Sequence, residues 1–207
     1  MKEITRTEIV YDFIELTEKA KENARRAYCE SFHEPFMFTE SVKYCLDEKF
    51  PNSKLETEYS LSYCQGDGLN VYGQFAISDI INFIRRNYED YDTVLNSKQK
   101  RFMNYLAKQD IQVVNRSNSH YCYYTSKAED IIWSIEIELE GNYYRDIPYD
   151  TIQIIANMFD ICFKKYCGEL EDEGYNFFYE VDDEEIIETW EANEYEGFTE
   201  DGKPVYT

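Results

Sequence analysis

The chain has 207 residues, of which 42 are acidic and 21 are basic, so its formal net charge at neutral pH is -21. Its hydrophobic share of 43% is that of a globular chain, which excludes a wholly disordered protein. A surface this negative repels phosphate backbones, so it disfavours direct binding to DNA or RNA and favours partners with a basic surface. The same charge would also serve solubility alone.

The opening segment MKEITRTEIVYDF lacks the apolar run of a signal peptide, and no segment approaches the roughly 18 apolar residues of a membrane span. We therefore expect a cytoplasmic protein that contacts no membrane. The six cysteines are scattered without C-x-x-C spacing, which predicts buried thiols instead of disulfides or a zinc site.

The first elements are a short strand and two helices. Residues Glu8 to Phe13 alternate well enough for the strand. Thr17 is placed to cap a helix that runs to about Tyr28. A second helix is expected after Thr39 and should end before Pro51, because the residue before a proline resists helical geometry.

Period-two alternation from Leu55 to Ile77 then predicts a β-hairpin whose loop is Gln65-Gly66-Asp67-Gly68. A phosphate loop is disfavoured, because no lysine is present and a strand follows where a helix is needed. A calcium loop is disfavoured because Asp67 stands nearly alone. The loop is predicted as a turn whose glycines adopt positive φ, with a recognition tip at Asp67 as the alternative.

The middle of the chain is basic. Two helices are predicted, one capped by Ser78 and one from Lys98 to Lys108, and the stretch from Arg85 to Arg101 carries several cations. This stretch could hold a nucleic-acid substrate if the protein were an enzyme.

Three more strands are predicted, Ile111 to Asn115, His120 to Thr125 and Ile131 to Glu140, the first two joined by the turn Ser117-Asn118-Ser119. The third has the clearest alternation: Trp133, Ile135, Ile137 and Leu139 form its buried face, and Ser134, Glu136, Glu138 and Glu140 its exposed face.

The last part of the chain is strongly acidic, with fifteen acidic residues and no basic one between Glu169 and Gly202. It follows a long predicted helix, about Tyr149 to Leu170, and contains a predicted strand, Tyr175 to Val181. Asp182 and Glu185 form a capping box for a helix from Asp183 to about Ala192. A short tail from Phe198 to Tyr206 is expected to fold back at Asp201-Gly202.

Together these elements predict an α+β fold with an antiparallel sheet of about five or six strands, helices packed mainly on one face, and an acidic C-terminal helix and tail. Residues 1–170 are expected to form the core domain. Residues 171–207 are expected to form a strand, helix and tail appended to that domain.

No catalytic, cofactor-binding or metal-ligating residue is predicted. A thiol nucleophile at Cys64 would need His120 as its base, and nothing in the spacing supports that pair. The best candidates are partner-binding residues, because carboxylates interspersed with aromatic side chains suit an interface. They are Glu136, Glu138, Glu140, Asp182, Asp183, Glu184, Glu185, Trp190, Tyr195 and Asp67.

Three segments resemble small accessory proteins of phages and mobile elements: the opening YDFIELTEKAK from Tyr11, the hairpin SLSYCQGDG from Ser60, and the closing EANEYEGFTEDG from Glu191. In the closing segment Gly197 departs from the pattern, and the stretch from Arg85 to Lys108 resembles an insertion. No functional residue is carried over from this resemblance. It implies a phage accessory protein, a class whose small acidic members often neutralise host defences and in which anti-CRISPR proteins that imitate DNA have similar charge.

The resulting expectation is a non-enzymatic inhibitor that acts in the cytoplasm of the host cell. It would bind the basic nucleic-acid channel of a host defence nuclease, with CRISPR effectors as the leading class, as an acidic nucleic-acid mimic, and would use no cofactor. Two alternatives stay open: a metal-dependent nuclease or other enzyme, and a phage regulatory protein that acts as a homodimer or larger oligomer.

Overall fold

The computed structural model of the chain describes residues 9–116, 122–141, 148–193 and 195–205. The helices are α1 (Glu18–Phe32), α2 (Pro35–Lys49), α3 (Ile77–Asn87), α4 (Tyr91–Val94), α5 (Ser97–Leu106), α6 (Ala128–Gly141), α7 (Tyr149–Tyr179) and α8 (Asp183–Ala192). The strands are β1 (Lys54–Ser60), β2 (Gly68–Ala76), β3 (Gln112–Asn115), β4 (Gly197–Phe198) and β5 (Pro204–Val205). The α+β class is thereby confirmed.

The chain divides into two compact units. The terminal unit contains residues 1–38 and 173–207, and the central unit contains residues 39–172. The acidic C-terminal segment is therefore grouped with the N-terminal helix, whereas the sequence predicted it as an appendage of one larger domain. Nothing in the C-terminal segment alone indicated that grouping.

The terminal unit is built on the contact between α1 and α8. Thr17 caps α1 as predicted, since its Oγ1 accepts a hydrogen bond of 3.3 Å from the backbone N–H of Ala20. The predicted opening strand is reduced to a bridge between Tyr11 and Phe198, and Phe13–Glu15 forms a 3-10 helix. The tail returns as predicted, with β4 antiparallel to β5.

The central unit contains an antiparallel sheet in the order β1-β2-β3. The predicted hairpin is confirmed: Lys54 pairs with Gln74 and Ser60 with Gly68. The core on β2 is aromatic, because Phe75 meets Phe163 of α7 edge-on at a centroid distance of 5.3 Å, and Phe163 stacks on Phe159 at 4.9 Å. Such pairs add stabilisation beyond their buried area.

The prediction of five or six strands in one sheet is wrong, because two of the predicted strands are helical. Residues 131–140 lie in α6, and Tyr175 to Tyr179 form the last turns of α7. In the second case packing overrides β propensity, since Phe177 and Phe178 lie in α7 and contact the ring of Phe38 at 5.7 and 5.4 Å.

Some predictions fall partly outside the described residues. They concern the turn Ser117 to Ser119, the strand residue His120 and the tail residue Tyr206. The predicted strand from His120 to Thr125 is described only from Cys122 onward, and Cys122 to Thr125 have no regular structure. No helix among the described residues has the length and apolarity needed to span a membrane.

Candidate functional site

The candidate site lies on α6, in the segment that the sequence predicted as a strand. This helix begins with a local signal: Oγ of Ser126 accepts a hydrogen bond of 3.3 Å from the N–H of Ala128, and Glu129 and Asp130 occupy the first turn. Acidic residues in the first turn are stabilised by the helix dipole. These features favour a helix more strongly than the alternation that follows them.

The alternation arises because two helix faces are interleaved in the sequence. Ile131, Ile135 and Leu139 are spaced four residues apart and are completely buried or nearly so. Trp133 and Ile137 lie on the other side of the helix and are 67% and 50% exposed. The predicted burial of Trp133 and Ile137 is therefore wrong.

Carboxylates surround this exposed pair. At helical spacing Glu129, Glu136 and Glu140 fall on the same side of α6 as Trp133, whereas Glu138 falls on the opposite side. The predicted row Glu136, Glu138 and Glu140 is therefore divided between two faces. We define the α6 surface as Glu129, Trp133, Glu136, Ile137 and Glu140.

The α6 surface is concave at one end, where Glu129, Asp130, Ile132, Trp133 and Glu136 line a depression of about 400 Å³. An indole ring bordered by carboxylates can pack on the aliphatic stem or the guanidinium plane of an arginine while the carboxylates bind its charge. Tryptophan is also enriched among the residues that dominate binding energies at protein interfaces. The arrangement is thus suited to a basic protein surface.

The start of α6 is fixed to the rest of the central unit by buried and partly buried polar contacts. Nδ2 of Asn115, on β3, donates a 2.6 Å hydrogen bond to Oδ2 of Asp130. Just before the helix, Nζ of Lys127 donates to Oδ1 of Asn70 at 3.0 Å and to Oγ1 of Thr125 at 2.9 Å. The backbone N–H of Lys127 donates to Asp160 at 2.8 Å. These bonds give the α6 surface a rigid support.

Burial dominates the electrostatics of this support. It lowers the pKa of Lys127 to about 8 and raises the pKa of the nearby Cys167 thiol to about 12. Burial, together with a hydrogen bond of 2.6 Å to Asp160, raises the pKa of the Tyr124 hydroxyl. Tyr124 and Cys167 are therefore neutral at pH 7, and Lys127 carries its charge inside the protein at a cost.

The acidic cluster before and within α8 is largely engaged in the terminal unit. Asp182 caps α8 through the N–H of Glu184 at 3.3 Å. Asp183 accepts two hydrogen bonds from Arg25, at 2.7 and 2.9 Å, and Glu185 accepts one from the hydroxyl of Tyr28 at 3.1 Å. The predicted helix is confirmed, but the side chain of Glu185, which was predicted to complete a capping box with Asp182, bonds Tyr28 instead. The bond to Arg25 lowers the pKa of Asp183.

The aromatic residues of the same region belong to the core. Trp190 is 4% exposed, and its ring lies 4.2 Å from that of Phe198 and 5.7 Å from that of Tyr195. Tyr195 is half-buried against this cluster. The structure therefore places Trp190 in the packing of the terminal unit and leaves it little surface for a partner.

Asp67 organises its own loop. Its carboxylate accepts hydrogen bonds from Oγ of Ser60 at 2.6 Å and from the backbone N–H groups of Ser62 and Cys64 at 2.6 and 2.7 Å. Gly66 and Gly68 have the positive φ angles expected of turn glycines, 95° and 150°. The turn is confirmed, but its predicted bounds, Gln65 to Gly68, are wrong: the loop extends from Leu61 to Asp67, and Gly68 begins β2.

Within the described part of the chain, no group of three or more His, Cys, Asp or Glu residues is arranged to hold a metal ion. Cys64 is exposed, and His120, which a Cys64 nucleophile would need as its base, lies outside the described residues.

Sequence reasoning missed the exposed pair Trp133 and Ile137, as well as the buried Lys127. A helix that exposes Trp133 and Ile137 could have been predicted from the four-residue spacing of Ile131, Ile135 and Leu139, which follows Ser126 and two acidic residues. For Lys127 no local signal exists, because its partner Asn70 is distant in sequence.

No protein-family model, curated protein or solved structure matches this chain. The site is therefore interpreted from its own chemistry.

Proposed function

We propose that the protein is a stoichiometric inhibitor that binds the basic nucleic-acid channel of a nuclease through the α6 surface. The observation that carries the proposal is the exposed Trp133 and Ile137 pair, flanked by Glu129, Glu136 and Glu140. Exposed apolar anchors provide affinity, and the surrounding carboxylates select a cationic partner.

The overall charge supports the same partner class. At -21 the chain is attracted over long range to a lysine- and arginine-rich channel, and this attraction raises the association rate. A nucleic-acid channel is basic for the same physical reason, since it must neutralise phosphates. The resemblance to phage accessory proteins suggests that the nuclease belongs to a host defence system, with CRISPR effectors as the first class to test.

The proposal differs in one respect from pure imitation of DNA charge. A mimic that used carboxylates alone would bind weakly at high salt, because exposed charges are screened. The pair Trp133 and Ile137 adds apolar contact that salt does not screen. We expect added salt to slow association and so to weaken binding. The part of the affinity that comes from the apolar contact should remain at high salt.

The proposal is tested by titrating the protein into cleavage reactions of purified, guide-loaded CRISPR effector nucleases. Inhibition that is complete at one inhibitor per nuclease is the expected result. Absence of inhibition across the panel would contradict the proposed partner class.

The same preparation distinguishes the alternatives. If the protein itself cleaves nucleic acid with magnesium and stops when EDTA is added, it is an enzyme and the proposal is wrong. If light scattering shows that wild type dimerises and a Trp133→Ser variant does not, the α6 surface binds a second copy instead.

A further inference from the structure

A second cleft in the central unit has the opposite chemical character to the α6 surface. It lies beside the start of α5 and the start of α7 and has a volume of about 790 Å³. Its lining includes Lys98, Arg101, Phe102, Tyr105, Tyr149 and Asp150. The volume falls in the range of small-molecule sites, roughly 300–1,000 Å³.

One face of α5 forms a wall of this cleft. Arg101 and Phe102 lie three and four residues after Lys98, and Tyr105 lies four and three residues after them, so cations and aromatic rings share that face. The rings of Phe102 and Tyr105 are stacked with centroids 6.3 Å apart. Tyr105 and Tyr149 are 37% and 51% exposed, so the cleft offers ring surface to a ligand.

The two cations that line the cleft lack carboxylate partners among the described residues. Nearby basic residues are engaged: Lys100 pairs with Asp92 at 2.7 Å, and Arg85 bonds Tyr91 and Asn104. By contrast, Arg101 donates from Nε to the carbonyl of Ser97 at 3.2 Å, and its terminal nitrogens have no hydrogen-bond partner in the part of the chain that the structure describes. Lys98 is exposed. In a chain with twice as many acidic as basic residues, two available cations at one cleft are a specific feature.

We propose that this cleft binds a mononucleotide. A guanidinium and an ammonium bind phosphate, Arg101 through paired hydrogen bonds and Lys98 as a point charge. Tyrosine rings stack on a base, which has a planar π face whatever its identity. Asp150 can accept hydrogen bonds from ribose hydroxyls or an exocyclic amine, which an inorganic anion lacks.

The test is isothermal titration calorimetry of the full-length protein with AMP, adenosine and inorganic phosphate. We expect AMP to bind at least about tenfold more tightly than either fragment, because only AMP engages both the cations and the rings. The double variant Lys98→Gln with Arg101→Gln should weaken AMP binding about tenfold or more, and Tyr149→Leu should also weaken it by about tenfold.

Lys100→Gln is the matched control, since it removes a cation of the same helix that is already paired with Asp92. Its effect on AMP binding should be less than about twofold, and thermal melting should show that every variant is folded. The proposal is overturned if AMP gives no binding at millimolar concentration, if adenosine binds as tightly as AMP, or if the double variant binds like wild type. The cleft and the α6 surface share no residue, so this result is independent of nuclease inhibition.

Discussion

The ammonium group of Lys127 donates a hydrogen bond of 3.0 Å to Oδ1 of Asn70, and both side chains are fully buried. Asn70 also accepts from the backbone N–H and the hydroxyl of Thr125, both at 3.3 Å. Among the described residues no carboxylate forms an ion pair with Lys127. Its charge is therefore solvated by neutral oxygens and by the ring of Tyr124, 5.3 Å from Nζ.

The first prediction concerns pH and Lys127. Its pKa is lowered from 10.5 to about 8 in the folded protein, so charging it opposes folding by about 3 kcal/mol at neutral pH. This cost is fully present below about pH 8 and disappears as the pH rises toward the unfolded value. The free energy of unfolding of wild type minus that of Lys127→Met should therefore rise by about 1 kcal/mol between about pH 8 and about pH 9.

Urea unfolding of both proteins across this range measures that difference. The subtraction is necessary because the raised pKa of Cys167 acts in the opposite direction and removes stability as the pH rises above the ordinary thiol value. Cys167 is present in both proteins, so its contribution largely cancels. A difference that stays constant with pH would show that Lys127 is not a buried charge.

The second prediction concerns the loop at Asp67. Asp67→Asn replaces a carboxylate oxygen that accepts from backbone N–H groups with an amide that cannot satisfy both sets of donors. The free energy of unfolding should fall by roughly 1–2 kcal/mol. Asp172→Asn on the exposed face of α7 is the control and should change it by less than about 0.5 kcal/mol. Equal stability of the two variants would contradict the role of the Asp67 carboxylate in holding the loop.

The third prediction compares two glycines. Gly202 has a φ of 83°, and a Cβ placed there would lie 2.0 Å from the carbonyl oxygen of Ala20, so Gly202→Ala should destabilise the terminal unit by about 2 kcal/mol or more. Gly168 lies inside α7, and a Cβ there would meet nothing within 4 Å. Gly168→Ala should therefore stabilise the protein by roughly 0.5–1 kcal/mol. Thermal melting with circular dichroism compares them, and a stabilised Gly202→Ala variant would contradict the docked tail.

The fourth prediction concerns the loss of folding stability at acid pH. Arg25 holds the pKa of Asp183 below its ordinary value, so the stabilisation from this pair is present at neutral pH and is lost as the pH falls through the folded pKa. Both groups are partly exposed, and Asp183→Asn should cost no more than about 1 kcal/mol at pH 7. Glu184→Gln is the neighbouring control. A loss for Asp183→Asn that persisted unchanged in acid would contradict a charge-based interaction.

Helices with capping residues at their ends were predictable from sequence. The main errors arose where the spacing of apolar residues fitted both a strand and a helix, and where burial depends on contacts between segments distant in sequence. The capping residues Thr17 and Asp182 predict the starts of α1 and α8, and the glycines around Asp67 predict the hairpin. At 131–140 the same residues fit a period of two or a period near four; Ser126 and the acidic first turn favour the helix, and the burial of Ile131, Ile135 and Leu139 agrees with it.

The sequence prediction of partner-binding residues named Glu136 and Glu140, which lie on the α6 surface, but it did not name Trp133 or Ile137. In the structure Glu140 is exposed and Glu136 is half-buried, whereas Trp133 was assigned to the core and Trp190 to the surface, the reverse of what the structure shows. Burial of a tryptophan depends on contacts made by distant segments, such as Phe198 against Trp190. No local pattern carries that information.

The fifth prediction tests whether inhibition depends on the position of the carboxylates or only on the net charge of the protein. Reversing Glu129, Glu136 and Glu140 to lysine changes the net charge as much as reversing Glu184, Glu188 and Glu191, which are exposed on α8. Only the α6 reversal should weaken nuclease inhibition, by about tenfold or more, and reduce its salt dependence. Equal losses from both sets would mean that overall charge, and not the α6 surface, drives binding.

The most direct test of the central claim is displacement of a labelled DNA duplex from a guide-loaded CRISPR effector, followed by fluorescence anisotropy. The wild-type protein should displace the duplex, and the double variant Trp133→Ser with Ile137→Ser should need at least about tenfold more protein while melting at the wild-type temperature. Those side chains are already 67% and 50% exposed, so their loss should not unfold α6. Displacement by the double variant at the wild-type concentration would contradict the α6 surface as the binding site.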